Sequence, residues 1–153
     1  MVQKTVPAPH RAAVVGVIDP AAKAAATYTS GWIAMANFQQ VMAIIMAGTL
    51  GASATLDAKF EQATDAAGAG AKDVVGSAIT QLTKAGSDDS KQALVSLYAE
   101  DLDANNNFTH VRLSMTIATA TSGASALVLG FDCRYGPASA YDAASVDEIV
   151  IVA

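Results

Sequence analysis

The residues of this chain that could do chemistry are few and scattered. The first candidate is "GAGAKD", Gly68 to Asp73, which follows an alternating segment much as a phosphate-binding loop follows a strand. A P-loop needs G-x-x-x-x-G-K-[ST], so that backbone amides wrap the phosphates, the lysine reaches them and the hydroxyl meets magnesium. Here Ala71 separates Gly70 from Lys72, and Asp73 stands where Ser or Thr is needed. A dinucleotide fingerprint needs a third glycine opening a helix, and that position is again Asp73. Both phosphate readings fail, which leaves a glycine-rich turn.

The second candidate is the acidic stretch "EDLDANNN", Glu100 to Asn107, whose oxygen ligands alternate as a calcium loop's do. Counted from Asp101, an EF-hand loop needs glycine at its sixth position and glutamate at its twelfth. Those positions hold Asn106 and Arg112. Asn and Asp also favour tight turns by themselves, so a hairpin-like loop is the expectation, with a weak metal site as the alternative. "SDDS", Ser87 to Ser90, reads the same way. His10 and His110 lie in no His-x-His or Glu-x-x-His spacing, and Cys133 is the only cysteine, so no internal disulfide and no transition-metal set is expected. Cys133 reads as a small buried hydrophobe. No G-x-S-x-G elbow is present for a serine nucleophile. Spacing leaves a carboxylate pair for glycoside hydrolysis open, but an aromatic content of 6% is poor for a sugar cleft. Trp32, the one tryptophan, reads as a core or interface anchor. The expectation is therefore no catalytic, cofactor-binding or metal residues, no cofactor, and no enzyme.

The bulk numbers point elsewhere. The chain has 153 residues, enough for one domain with a real core. It is 52% hydrophobic, much of that alanine, and only 15% charged, against about 25% in an ordinary domain. A surface so poor in charge suits a protein packed against copies of itself or a partner. The net charge of −5 and the lack of any Lys/Arg cluster argue against nucleic acid. The N-terminal apolar run "AAVVGVI" is short and meets Asp19-Pro20, a poor signal peptide. No apolar run suits a membrane helix, so the chain is expected to be soluble, with no membrane partner.

The elements that must position these residues have period two. In "SATLDAKF", Ala54, Leu56, Ala58 and Phe60 share one face, with Leu56 and Phe60 expected in the core. In "THVRLSMTIA", Val111, Leu113, Met115 and Ile117 share one. Ala93, Val95, Leu97 and Ala99 do so in "QALVSLYAE", and Leu127, Leu129, Phe131 and Cys133 in "SALVLGFDCR". "QVMAIIMAG" is apolar on both faces and reads as a central strand. "GWIAMANF" reads as a short strand, and a further one is expected around Ser77 to Leu82. "RAAVVGVI" and "DEIVIVA" add β-prone ends. Between turn-rich separators strands return roughly every 10–20 residues, a pattern that favours an antiparallel sandwich or jelly roll over βα units. The one helical candidate, Pro20 to Tyr28, reads equally as an extended arm. The expected layout is an N-terminal arm or strand over 1–27, a sandwich core over 28–137, and a C-terminal strand or arm over 138–153. The two ends pair with each other in one reading, and add strands to a neighbour in the other.

The stretch from "YTSGWIAMANFQQVMAIIMAG" through "FTHVRLSMTIAT" to "CRYGPA", Tyr28 to Ala138, resembles a family of small proteins encoded beside the major capsid gene of tailed phages. These are capsid decoration (cement) or head-surface proteins. The resemblance implies a β-sandwich, commonly trimeric, with a pentamer as the alternative. It would sit on the outer capsid surface of the virion, bind the major capsid protein and stabilise the head. It carries over no active-site residues. A head spike or fibre base, or a tail tube or completion protein, is the alternative within the virion. A carbohydrate-binding sandwich is the alternative outside it, though Tyr98, Tyr135 and Tyr141 are scattered.

Overall fold

A computed structural model describes residues 6–152; residues 1–5 of the expected N-terminal segment, and residue 153 at the other end, lie outside the described residues. The strands are β1 (Ala12–Lys23), β2 (Ala26–Thr29), β3 (Ile33–Ala34), β4 (Phe38–Ala47), β5 (Thr55–Ala63), β6 (Lys72–Asp73), β7 (Leu82–Thr83), β8 (Gln92–Tyr98), β9 (His110–Ala118) and β10 (Ser122–Cys133). Short 3-10 turns join some of them, and the described residues hold no α-helix. One sheet has the order β1-β10-β4-β8 and the other β2-β9-β5-β6, with β3 on β9 and β7 on β5; every pairing is antiparallel. The first strand lies beside the last, and the chain passes repeatedly from one sheet to the other. This is the strand order of a jelly roll. The all-β sandwich expected from the alternation is what the chain forms.

The core lies between the two inner faces. Leu56, Ala58 and Phe60 of β5 meet Val111, Leu113, Met115 and Ile117 of β9 on one side, all buried. Val41, Ala43 and Ile45 of β4, with Ala126 and Val128 of β10, close it from the other. β4 lies between β10 and β8, as its two apolar faces predict. A smaller cluster of Ala13, Phe38 and Ala138 closes one end, where the Phe38 and Tyr141 rings meet edge to face at 5.5 Å.

Four features correct or sharpen the sequence reading. Pro20 to Tyr28 forms no helix; β1 runs through Pro20 to Lys23 and β2 follows. Pro20 is tolerated because β1 is an edge strand and the register shifts between Ile18 and Ala21. The strand expected over Ser77 to Leu82 is broken. Gly76 takes φ +82° and Val75 is 98% exposed, and the segment holds to β5 by single bonds, from Val74 N–H to Phe60 C=O and from Ile79 N–H to Ala58 C=O. "GWIAMANF" contributes only Ile33–Ala34 before the chain turns into β4. In β10 the buried residues are Ser122, Ala124, Ala126, Val128 and Gly130, so the Leu127, Leu129, Phe131 and Cys133 face is the outer one. Alternation alone cannot orient a strand whose two faces are both apolar.

The ends are asymmetric. β1 is an integral sheet strand. At its outer edge Val14 donates its N–H to the Asp142 carboxylate at 2.7 Å and accepts from the Ala143 N–H at 2.7 Å. Beyond Val146 the described residues join no strand, and Ile149, Val150, Ile151 and Val152 are exposed, Val150 by 70%.

Candidate functional site

The polar groups singled out by sequence fold back on their own backbone. In the loop before β6 the Asp65 carboxylate accepts the N–H of Ala67 at 2.9 Å and of Ala69 at 3.0 Å. The Ala69 amide leads in holding the Asp65 carboxyl below its ordinary value. Gly68, at φ +87°, lies so close to the Trp32 indole that an added Cβ would fall 2.6 Å from its Nε1. Lys72 pairs with Asp103 and lies 4.2 Å from the Phe108 ring centre. The amides and the lysine that a phosphate would use are thus committed to the loop itself and to its neighbour.

The acidic stretch likewise spends its carboxylates locally. Asp101 accepts the Tyr98 N–H at 2.8 Å, and Asp103 accepts Lys72 and the Asn106 side-chain amide; Lys72 leads in holding its carboxyl low. In "SDDS" Asp89 accepts Lys84 and the Leu50 N–H, with Lys84 the main cause of its lowered carboxyl, and Asp88 accepts the Thr83 N–H. Among the described residues, no three His, Cys, Asp or Glu side chains gather as a metal would require. His10 is exposed at one end, the His110 ring meets Thr109 Oγ1 at 2.9 Å, and Cys133 is only half-buried, its thiol toward the Tyr135 carbonyl. Trp32 is no core residue. It is half-buried on the outside of the second sheet, with the Arg112 guanidinium 4.5 Å from its ring centre.

The feature that stands out is a contrast between the two outer faces. On the β2-β9-β5-β6 sheet the outward residues are polar and paired. Lys59 meets Asp73 at 2.7 Å, Arg112 meets Glu61 at 2.7 Å, and Thr27 meets Thr116 at 2.8 Å. That is a solvated face. On the β1-β10-β4-β8 sheet, register places Val17, Leu127, Ile44 and Leu94 in one row across all four strands. The next row holds Val14, Leu129, Met42 and Ser96, and beyond it lie Ala12, Phe131, Gln40 and Tyr98. Met46 stands on the other flank. No charged residue occurs in these rows. Leu94 is 64% and Met46 45% exposed, and none of Val17, Leu127, Leu129, Met42 and Ile44 belongs to either core cluster. Polar groups mark the rim, where Gln40 donates to Asp132 at 2.7 Å, Asp19 is exposed within β1 at its register shift, and Lys91 precedes β8. Sequence reasoning placed these residues on strands or β-prone ends without orienting their faces. The signal for an outer face was the same period-two pattern, carried by apolar residues at both phases of β4 and β10.

No family model matches the chain, and no curated protein matches it. Among solved structures it is similar to a chain in the structure of infectious bursal disease virus Gx strain, at 11% identity and a TM-score of 0.42. The match covers 84% of this chain and 33% of that one, so this chain spans about a third of its length.

Proposed function

We propose that this chain is a structural virion protein that binds the outer surface of a capsid and stabilises the head, a decoration or cement protein and not an enzyme. The observation that carries the reading is the apolar outer face of the β1-β10-β4-β8 sheet, which suits a protein that works as part of an assembly; the shell contact itself is assigned to other surfaces of that assembly. An apolar face spanning four strands exceeds the isolated hydrophobics of a free monomer's surface and is made to be covered. The sequence likeness of Tyr28 to Ala138 to phage head-surface proteins gives the kind of assembly in which it is covered. The partners are the major capsid protein and further copies of this chain, a trimer being favoured over a pentamer. A cement protein works by many spread contacts, with apolar burial contributing about 25 cal/mol per Å² before the costs of association. An oligomer that touches several capsid subunits adds the gain of multivalency. Binding only to the assembled shell stabilises that shell by mass action.

Gel densitometry of purified particles tests the assignment. A copy number near that of the capsid subunit is expected. A handful of copies supports a spike base or tail component instead, and absence from the particle overturns the virion reading.

A further inference from the structure

We infer that the outer face of the β1-β10-β4-β8 sheet is the self-association surface of this protein, covered by a second copy of the same chain and not by the shell. The inference rests on the reading of this face as a covered one, and names what covers it. Three observations favour a second copy.

The three rows hold no charged residue, and the nearest charges, Asp19 of β1, Asp132 of β10 and Asp142 beside Val14, stand at their margins, so two copies can meet over the rows without stranding a charge. A foreign partner would have only shape to read there, whereas a self-contact needs only that the patch fit itself or its neighbour in a closed ring. Second, the composition follows an interface: apolar at the centre, in the Val17, Leu127, Ile44 and Leu94 row, and polar at the rim, with Gln40 and Asp132 bonded to each other. Third, the size fits. Four strands about 4.8 Å apart, with seven residues at about 3.4 Å each along β8, span roughly 19 by 24 Å, or about 450 Å² in projection. Side-chain relief raises the accessible area above its projection. Two copies together bury on the order of 1,000 Å², where specific interfaces begin. The shell is then left to other surfaces, of which the exposed Ile149–Val152 tail is the most apolar.

Sedimentation equilibrium of the purified chain at micromolar concentration tests the inference. The wild type is expected at a closed multiple of its 15.5 kDa mass. Leu94→Lys, at a site already largely exposed, retains the fold and weakens association by at least about tenfold, since a charge is forced into an uncharged contact. Ile44→Lys, at the centre of the row, does the same, with circular dichroism checking its fold. Thr29→Lys, exposed on the opposite sheet, leaves the mass unchanged. A monomeric wild type overturns the inference, as does an unchanged oligomer in Leu94→Lys. Pelleting the same proteins with undecorated shells separates the two claims. A monomer that still binds shells defeats self-association and keeps the virion reading, and an oligomer that binds no shell does the reverse.

Discussion

At Gly130 one added methyl group would land 2.7 Å from the Phe38 ring, and Phe38 is fully buried against the end cluster. The ring has no room to yield. Gly130→Ala is expected to destabilise the fold by about 1–3 kcal/mol in urea denaturation. Ser77 is a second such point. Its buried hydroxyl accepts the Phe60 N–H at 3.0 Å and donates to Val74 C=O at 2.7 Å, in place of the strand pairing that the broken 74–81 segment lacks. Ser77→Ala leaves the Phe60 amide without its partner, at a cost of about 1–3 kcal/mol by the same measurement. Asp65, Asp89 and Asp103 all have carboxyls held below the ordinary 3.8. A group whose folded pKa is depressed stabilises the fold above its unfolded pKa and loses that contribution as pH falls through the folded one. The melting temperature is therefore expected to drop on acidification below about pH 4. Asp89→Asn, which cannot titrate, reduces that drop; an equal drop in the variant contradicts the role given to the Lys84 and Leu50 contacts. The effect is small, since these groups are exposed and screened.

At the scale of elements, the two ends call for different treatment. Deleting residues 1–19 removes most of β1, including Ala13 and Ile18 of the core, and is expected to abolish folding and not merely binding. Deleting 147–153 removes a segment whose described residues join no strand, so urea stability should stay within about 0.5 kcal/mol while shell occupancy falls. Unchanged occupancy in particle pelleting removes the tail from the shell contact. The strands most legible in the sequence are β5 and β9. Their apolar residues alternate with Asp57, Lys59, Glu61 and Arg112, which fixes both the period and the inward face. β4 and β10 were legible as strands, but only the burial of alternate residues showed which side faces the core, because Val41 and Met42, or Val128 and Leu129, are equally apolar neighbours. The 74–81 segment escaped the pattern because the turn at Val75 and Gly76 interrupts its pairing with β5. The failure of "GAGAKD" as a phosphate loop was legible; the engagement of Lys72 with Asp103 was not, since it joins residues 31 positions apart.

For the whole molecule, a jelly roll supports many functions and by itself assigns none. What distinguishes this one is that one outer face keeps its charges and pairs them, while the central rows of the other hold none. The account takes the second face as buried between copies, and the assembled protein as bound to the outside of a capsid. Cryo-electron microscopy of capsid particles purified with this chain tests this most directly. The account predicts jelly-roll density outside the shell, in copy number near that of the capsid subunit, with the β1-β10-β4-β8 face turned toward a sister copy. Density confined to the tail or to a single vertex, or that face open to solvent on the mature particle, would contradict it.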